Sequence, residues 1–268
     1  DKPVQLLWER TDDTMFSPYR PANYHQLKAS LDEKGNLVSW QHHVLGTPIA
    51  YMTEGPESKS APEMEGADRS FCYNIPNVRN GYTPVDFNIN RGWLRSVDIC
   101  VNTFPIESFI DEIAQKLNKD PLNFRLSLLE NRPDFKTGDK PGSMTQSPAR
   151  IAAVLKLAAQ KIGWTETRKP NHFIGLATHS FIFAKAYAAH AIEIELLAPK
   201  KFRITRVVAA IDCGLVINPD GLLNQMEGGL AFALSQTLKG EITVKNSRVL
   251  QDGYFGYELL QYDEMPPV

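Results

Sequence analysis

Two stretches of this 268-residue chain carry side chains whose types and spacing could bind an anion or the polar edge of a ring. The first is Arg91-Gly92-Trp93-Leu94-Arg95-Ser96-Val97-Asp98, leading into Phe104-Pro105-Ile106-Glu107-Ser108-Phe109-Ile110-Asp111-Glu112-Ile113-Ala114. An arginine–serine turn ahead of an amphipathic helix leaves the first backbone N–H groups without intrahelical partners, a receptor for phosphate and other anions. The second is Ala210-Ile211-Asp212-Cys213-Gly214-Leu215-Val216-Ile217-Asn218-Pro219, followed by Asn224-Gln225-Met226-Glu227-Gly228-Gly229. There a strand ends at a glycine turn and an Asn-Pro pair opens a helix. The Gln225 carboxamide, with donors and an acceptor, stands near that opening. Each stretch also has an ordinary reading: Arg95 as an ion-pair partner of Asp98 or Glu107, and Gln225 as a packing or surface amide.

The remaining reactive side chains are scattered. His25, His42, His43, His172, His179 and His190 do not cluster at ligand spacing. His179, between Thr178 and Ser180 on an expected inner strand, either faces a pocket or is a satisfied core histidine. Cys72, Cys100 and Cys213 show no CxxC spacing, so they read as free thiols rather than a disulfide framework, a zinc site or an iron–sulfur site. The G-x-G-x-x-G fingerprint of dinucleotide binding is absent.

Composition narrows the classes further. Apolar residues make up 43% and charged residues 22%, ordinary for a globular protein able to bury a core. A net charge of −2 argues against nucleic-acid binding, and no run reaches the roughly 18 apolar residues of a membrane span. The chain opens Asp1-Lys2-Pro3-Val4 with no leader-like segment, which reads as a piece of a longer chain.

The elements that must position these residues alternate between strands and helices. Val4 to Arg10 reads as a strand, and Tyr24–Leu31 with Leu37–Leu45 as a hairpin. Thr53–Asp68 reads as a surface loop, and Phe71–Val78 and Val85–Ile89 as short strands. A helix over Phe104–Leu117 is expected to bury Phe104, Ser108, Ile110, Ile113, Ala114 and Leu117. Asp120 caps the next helix, with Pro121 at its first position. Arg132–Pro148 is a polar connection and the internal boundary, dividing the chain into 1–140 and 141–268. Ser147 caps a helix running from Pro148 to Ile162, with Ile151, Val154, Leu155, Ala158 and Ile162 on its apolar face and Gly163 at its end. Strands follow at Ile174–Phe183, Ala189–Leu197 and Phe202–Ile211, then a helix over Asp220–Leu238. Gly221, Gly228 and Gly229 within that helix signal close packing or close approach to a ligand. A last hairpin pairs Glu241–Val244 with Arg248–Gln251. The order predicts an α+β fold with mixed and antiparallel sheets against packed helices.

Together the two stretches resemble the molybdenum-cofactor-binding large subunit of the xanthine dehydrogenase and aldehyde oxidase family, in the branch of the isoquinoline 1-oxidoreductase β subunit. The likeness also rests on Pro3-Val4-Gln5-Leu6-Leu7-Trp8-Glu9-Arg10-Thr11-Asp12-Asp13, Tyr19-Arg20-Pro21-Ala22, Asp120-Pro121 and Asn218-Pro219, in the family's order. It implies molybdopterin as cofactor, with molybdenum held by the pterin dithiolene and the protein supplying hydrogen bonds. By position, it places Arg95 and Ser96 on the loop facing the metal, and Gln225 and Gly228 on the cofactor from the other half of the subunit. It implies hydroxylation of an aromatic N-heterocycle or an aldehyde with oxygen from water. Electrons would pass to a [2Fe–2S] small subunit and, in some branches, to a cytochrome c subunit.

There are departures. The family's glycine-rich FGG loop would precede the first residue, and the Gly-x-Gly-Glu-Pro segment carrying the glutamate base would follow Val268. No catalytic residue is therefore assigned within the chain, which alone is expected to be inactive and free of cofactor. Asp98 stands where many relatives have glycine. The alternative is a non-catalytic binding or scaffold domain keeping the family fold. The compartment, bacterial cytoplasm or periplasm, is not fixed by these residues.

Overall fold

The computed structural model describes residues 2–55, 57–58, 63–68, 70–87, 89–138 and 143–268. The boundary expected at 140/141 falls outside the described residues. The hairpin of β1 (Asn23–Leu31) and β2 (Leu37–Gly46) forms where alternation predicts it. Tyr24, Gln26, Lys28 and Ser30 point outward, while His25, Leu27, Ala29 and Leu31 are half-buried. A third strand, β3 (Asn77–Pro84), runs parallel to β2. A short antiparallel pair, β4 (Phe135–Lys136) and β5 (Thr145–Gln146), comes next, and the last large sheet is an antiparallel meander of β6 (His172–Phe181), β7 (Ala186–Ala198) and β8 (Lys201–Asp212).

Helices pack on both faces of the meander. On one side α5 (Pro148–Ile162) buries Ile151, Val154, Leu155, Ala158 and Ile162, the face its 3.6-residue period predicts. The sheet meets it with Ala189, Ala191 and Ala210, small enough to let the helix come close. Each large aliphatic side chain so buried contributes about 1.5–3 kcal/mol. Gly163 ends α5 in the left-handed region (φ 75°), and Trp164 N–H donates back to the Ala159 carbonyl. On the other side α6 (Pro219–Leu238) sets Leu230 and Leu234 against Val207, with Ile192 and Ile204 beside them.

The main core runs on from α5 into α3 (Ile99–Lys116), α4 (Pro121–Leu129) and the first sheet, uniting Trp40, Phe71, Ile110, Leu129 and Leu155. Asp120 caps α4, accepting from Asn123 N–H at 2.8 Å. Within this core the Glu107 carboxylate accepts from Tyr73 Oη at 2.7 Å, Arg125 Nε at 3.0 Å and Thr178 N–H at 3.1 Å.

Several sequence expectations are corrected. Val4 to Glu9 are not a strand: Val4, Leu6, Leu7 and Trp8 lie exposed without a ladder partner, and Arg10–Phe16 form helix α1. A strand needs neighbours for its backbone groups, whereas the reciprocal capping of Glu9 and Asp12 favours a helix start here. Phe71 to Ile75 are core-filling coil, and the described residues 85–87 and 89 are not in a strand. The strand is β3, too polar to betray itself by alternation and suited to an edge, where its terminal Pro84 is tolerated. Gly81 matters in β3, because a Cβ there would stand 2.7 Å from His43 Nδ1. The expected surface loop at Thr53–Asp68 begins within a short helix, α2 (Ala50–Thr53), and sends Met64 and Ala67 into the core. Helix α3 starts at Ile99, so Pro105 is interior, and Phe104 is exposed while Ile106 and Glu107 take the buried face. The proline imitates a first-turn residue and shifts the apparent start. Ser147 sits at the α5 N-cap but gives its hydroxyl to Asp134 at 2.6 Å. The last hairpin is reduced to β9 (Val244–Lys245) and β10 (Arg248–Val249).

Candidate functional site

The turn before α3 is an unusual piece of backbone. Ser96 and Val97 both adopt positive φ (68° and 45°), a region that costs side-chain-bearing residues energy and must be held from outside. The holding group is Arg20. Its guanidinium donates to the carbonyls of Val97 and Arg95, the latter at 2.8 Å, and reaches Gln236 Oε1 on α6 at 3.4 Å. The segment carrying Arg20 is itself laced to the start of the turn: Tyr19 N–H donates to Asn90 O at 3.1 Å and Gly92 N–H to Tyr19 O at 2.9 Å. Gly92 is required, since a Cβ would lie 2.7 Å from Pro18 Cβ. Nearby, buried Arg91 anchors to the Pro48 carbonyl at 2.7 Å.

Held this way, the turn presents Arg95 and Ser96 to solvent. Asp98 turns inward, where its carboxylate accepts from Glu65 N–H at 2.7 Å and burial pushes its pKa up. Part of the expected open helix start is consumed locally, as Ile99 N–H donates to Ser96 O at 2.9 Å. Glu107 is engaged by Arg125. Neither carboxylate pairs with Arg95, so the ion-pair reading of that arginine fails.

Arg95 meets α6 instead. Its Nη2 donates to Gln225 Oε1 at 3.3 Å and lies 3.4 Å from the Gln225 carbonyl. Gly229, one helical turn on, makes room for it: a Cβ there would stand 3.2 Å from Nη2. Gly228 faces elsewhere, onto a cavity of about 380 Å³ with Glu227, Ala231, Met265 and Pro266, and has nothing near its would-be Cβ. The structure thus joins Arg95 and Gln225 on one exposed wall, with Ser96 exposed next to Arg95 in the chain, and sets Gly228 around the helix from it. The turn ahead of α6 is fixed by Arg150 of α5, which grips Asp212 in a fork at 2.6 and 2.7 Å and holds its carboxyl below the usual range. Asn218 caps α6, accepting from Gly221 N–H at 2.9 Å.

With this geometry in place, comparison with known proteins is decisive. Residues 1–129 and 114–266 each match a family model described as a molybdopterin cofactor-binding domain. The chain belongs to that family. Such domains build the molybdenum-cofactor sites of xanthine dehydrogenase and aldehyde oxidase relatives, as the sequence resemblance implied. The chain is 26% identical over 99% of its length to the membrane-bound aldehyde dehydrogenase [pyrroloquinoline-quinone] of Gluconacetobacter polyoxogenes, covering 36% of it. It is 24% identical to isoquinoline 1-oxidoreductase subunit beta of Brevundimonas diminuta, aligned over all of this chain and 33% of that one. It therefore spans about a third of these curated relatives. Quinoline 2-oxidoreductase from Pseudomonas putida 86 shares the fold, with a TM-score of 0.77 at 12% identity, over 98% of this chain and 56% of that one. The α+β class expected from the sequence is the class found.

The residues of the wall fit a molybdopterin. Arg95 bonds Gln225 through Nη2 and is an exposed residue, and Ser96, next in the chain, is exposed as well. Such donors suit phosphate and pterin edges, and Arg in particular suits phosphate. Among the described residues no group of His, Cys, Asp and Glu could hold a metal. No helix of the described residues is long and apolar enough to cross a membrane.

One further feature escaped sequence reasoning, and one reading left open by the sequence, that of His179, is decided by its surroundings. Arg20 lay inside a matched segment, but nothing local showed that it would bridge turn and helix. His179 is enclosed: Nδ1 contacts Thr103 Oγ1 at 3.1 Å, Gly66 packs on its edge, and burial lowers its pKa to about 4. It belongs to the interior and not to the wall.

Proposed function

We propose that the Arg95–Ser96 turn and the Gln225 face of α6 form one wall of a molybdopterin site in an oxidoreductase, with Gly228 lining the adjoining surface. The observation that supports this is the Arg95–Gln225 contact between segments 130 residues apart. On this reading Arg95 neutralises and orients the anionic part of the cofactor, Ser96 and Gln225 hydrogen-bond its polar edges, and Arg20 keeps the turn in its left-handed conformation. The bound group would supply a two-electron redox centre that lets oxygen from water enter an electron-poor carbon. The substrate class is a small aromatic N-heterocycle or an aldehyde, and electrons leave through a [2Fe–2S] partner subunit and onward to a cytochrome c. The division near residue 140 separates the half bearing the turn from the half bearing α6, so the site lies where the two meet.

The test is molybdenum and pterin content per chain in the protein expressed with an iron–sulfur partner, for the natural sequence and for Arg95→Ala and Gln225→Ala. Losing a charge-assisted hydrogen bond of about 1.5–3 kcal/mol should cut retention roughly ten- to a hundredfold while leaving Tm unchanged. Full molybdenum occupancy in both variants would overturn the reading.

A further inference from the structure

A cleft of about 880 Å³ lies along β8, lined by residues other than Arg95 and Gln225. Its lining includes the consecutive run Lys201, Phe202, Arg203, Ile204 and Thr205. Successive strand side chains point to opposite faces, so a run of neighbours lines one cleft only when the cleft follows the strand's open edge. The sheet order β6-β7-β8 makes β8 outermost. An extended segment already docks farther along the same strand through its backbone: Val207 N–H donates to the Pro267 carbonyl at 2.9 Å. From there toward Lys201 the edge borders the cleft.

The walls state what would fit. Phe202 and Leu238 are 48% and 41% exposed, and Leu234 and Leu260 continue the apolar surface. Arg203 is neutralised by Glu195, and Lys239 by Glu264 at 2.6 Å. Asp263 also lines the cleft, but Lys200 and Lys201, where β8 begins, take part in no ion pair among the described residues. Lysines on an edge strand repel indiscriminate pairing. They leave an acidic strand as the partner this edge admits.

We propose that the open edge of β8 is a docking site for an extended acidic segment of a partner protein. The segment adds to the three-stranded sheet as a further strand. Its alternate apolar side chains enter the cleft, and its carboxylates lie beside Lys200 and Lys201. This inference does not depend on the cofactor reading.

The experiment titrates the whole chain into a short fluorescein-labelled peptide alternating glutamate and valine, and into its lysine–valine counterpart. Saturable anisotropy is expected for the glutamate peptide alone, together with slowed amide exchange over 201–205. Lys200→Glu with Lys201→Glu, at the exposed turn and first residue of β8, should keep the Tm and weaken binding about tenfold. Three results overturn the proposal: no binding, equal binding of both peptides, or unchanged binding by the charge-reversed variant. Concentration-dependent protection of 201–205 without peptide also overturns it, by making a second copy the occupant.

Discussion

Arg95 and Gln225, 130 residues apart in the chain, meet with the guanidinium Nη2 3.3 Å from the carboxamide oxygen, above the bare backbone of Gly229. Glycine inside a helix costs about 1 kcal/mol relative to alanine, so its presence there needs a local reason. The atom a Cβ would meet is the end of a flexible side chain and can yield by a few tenths of an ångström. Gly229→Ala should therefore stabilise the chain by up to about 1 kcal/mol while displacing Arg95. Chemical denaturation reads the first effect, and molybdenum retention in the complex reads the second. A destabilised Gly229→Ala chain would show that the helix itself cannot accommodate the methyl group.

Arg20 offers a separate test, because it acts on backbone rather than on ligand. It satisfies two carbonyls of a turn whose Ser96 and Val97 sit at positive φ, and it touches Gln236 across the gap to α6. Arg20→Ala leaves those carbonyls to water and releases the strained turn, for an expected loss of about 1–3 kcal/mol. Arg20→Lys can reach one carbonyl at a time and should recover part of it. Urea unfolding with amide exchange at 94–99 checks both. An unchanged exchange pattern in Arg20→Ala would mean the turn holds itself.

What could be read from sequence follows from where the physics is local. The cap at Asp120, the helix opening at Asn218-Pro219, the stop at Gly163 and the five-residue apolar face of α5 are set by residues within a turn or two of each other, and all of them form as expected. The β1–β2 hairpin was legible because one face is half-buried and the other wet. Strand β3 was not legible: it is a polar edge strand whose place is decided by parallel pairing to β2. Val4 to Trp8 misled for the opposite reason, an apolar run with no partner to pair with. At the candidate site the chemical types at Arg95, Ser96 and Gln225 could be picked out. The choice of Gly229 over Gly228 as the glycine under Arg95 depends on helix rotation, and the bridging by Arg20 depends on tertiary placement.

The buried charges of the core make a third prediction. Arg125 is fully enclosed, and its guanidinium meets Glu107 Oε2 at 3.0 Å and the Glu107 carbonyl at 2.9 Å, with Asp111 on the remaining side. Removing one partner leaves an uncompensated charge in a dry environment, so Arg125→Met should cost about 3–5 kcal/mol. Replacing both, as Glu107→Leu with Arg125→Met, removes the stranded charge and should recover much of that loss. The double variant still leaves Tyr73 Oη and Thr178 N–H without the carboxylate they bond. A double-mutant cycle by denaturant unfolding measures the coupling; simple additivity would show that Glu107 and Arg125 do not act as a pair.

His179 is expected to contribute to the acid sensitivity of the fold. Burial holds its folded pKa at about 4, below the ordinary histidine value, so the folded state keeps the ring neutral where the unfolded chain takes up a proton. Between about pH 6.5 and pH 4 the unfolded state therefore binds more protons, and stability falls as pH falls. Above pH 6.5 the ring is neutral in both states and the effect vanishes. His42, enclosed beside His25 and also lowered to about 4, acts with the same sign. The full shift at His179 corresponds to about 3 kcal/mol. His179→Leu removes one titrating ring, though it strands the Thr103 hydroxyl. The variant should start less stable at pH 7 yet lose less on going to pH 5. Urea midpoints at the two values decide it: an equal drop in both proteins would assign the acid sensitivity to other groups.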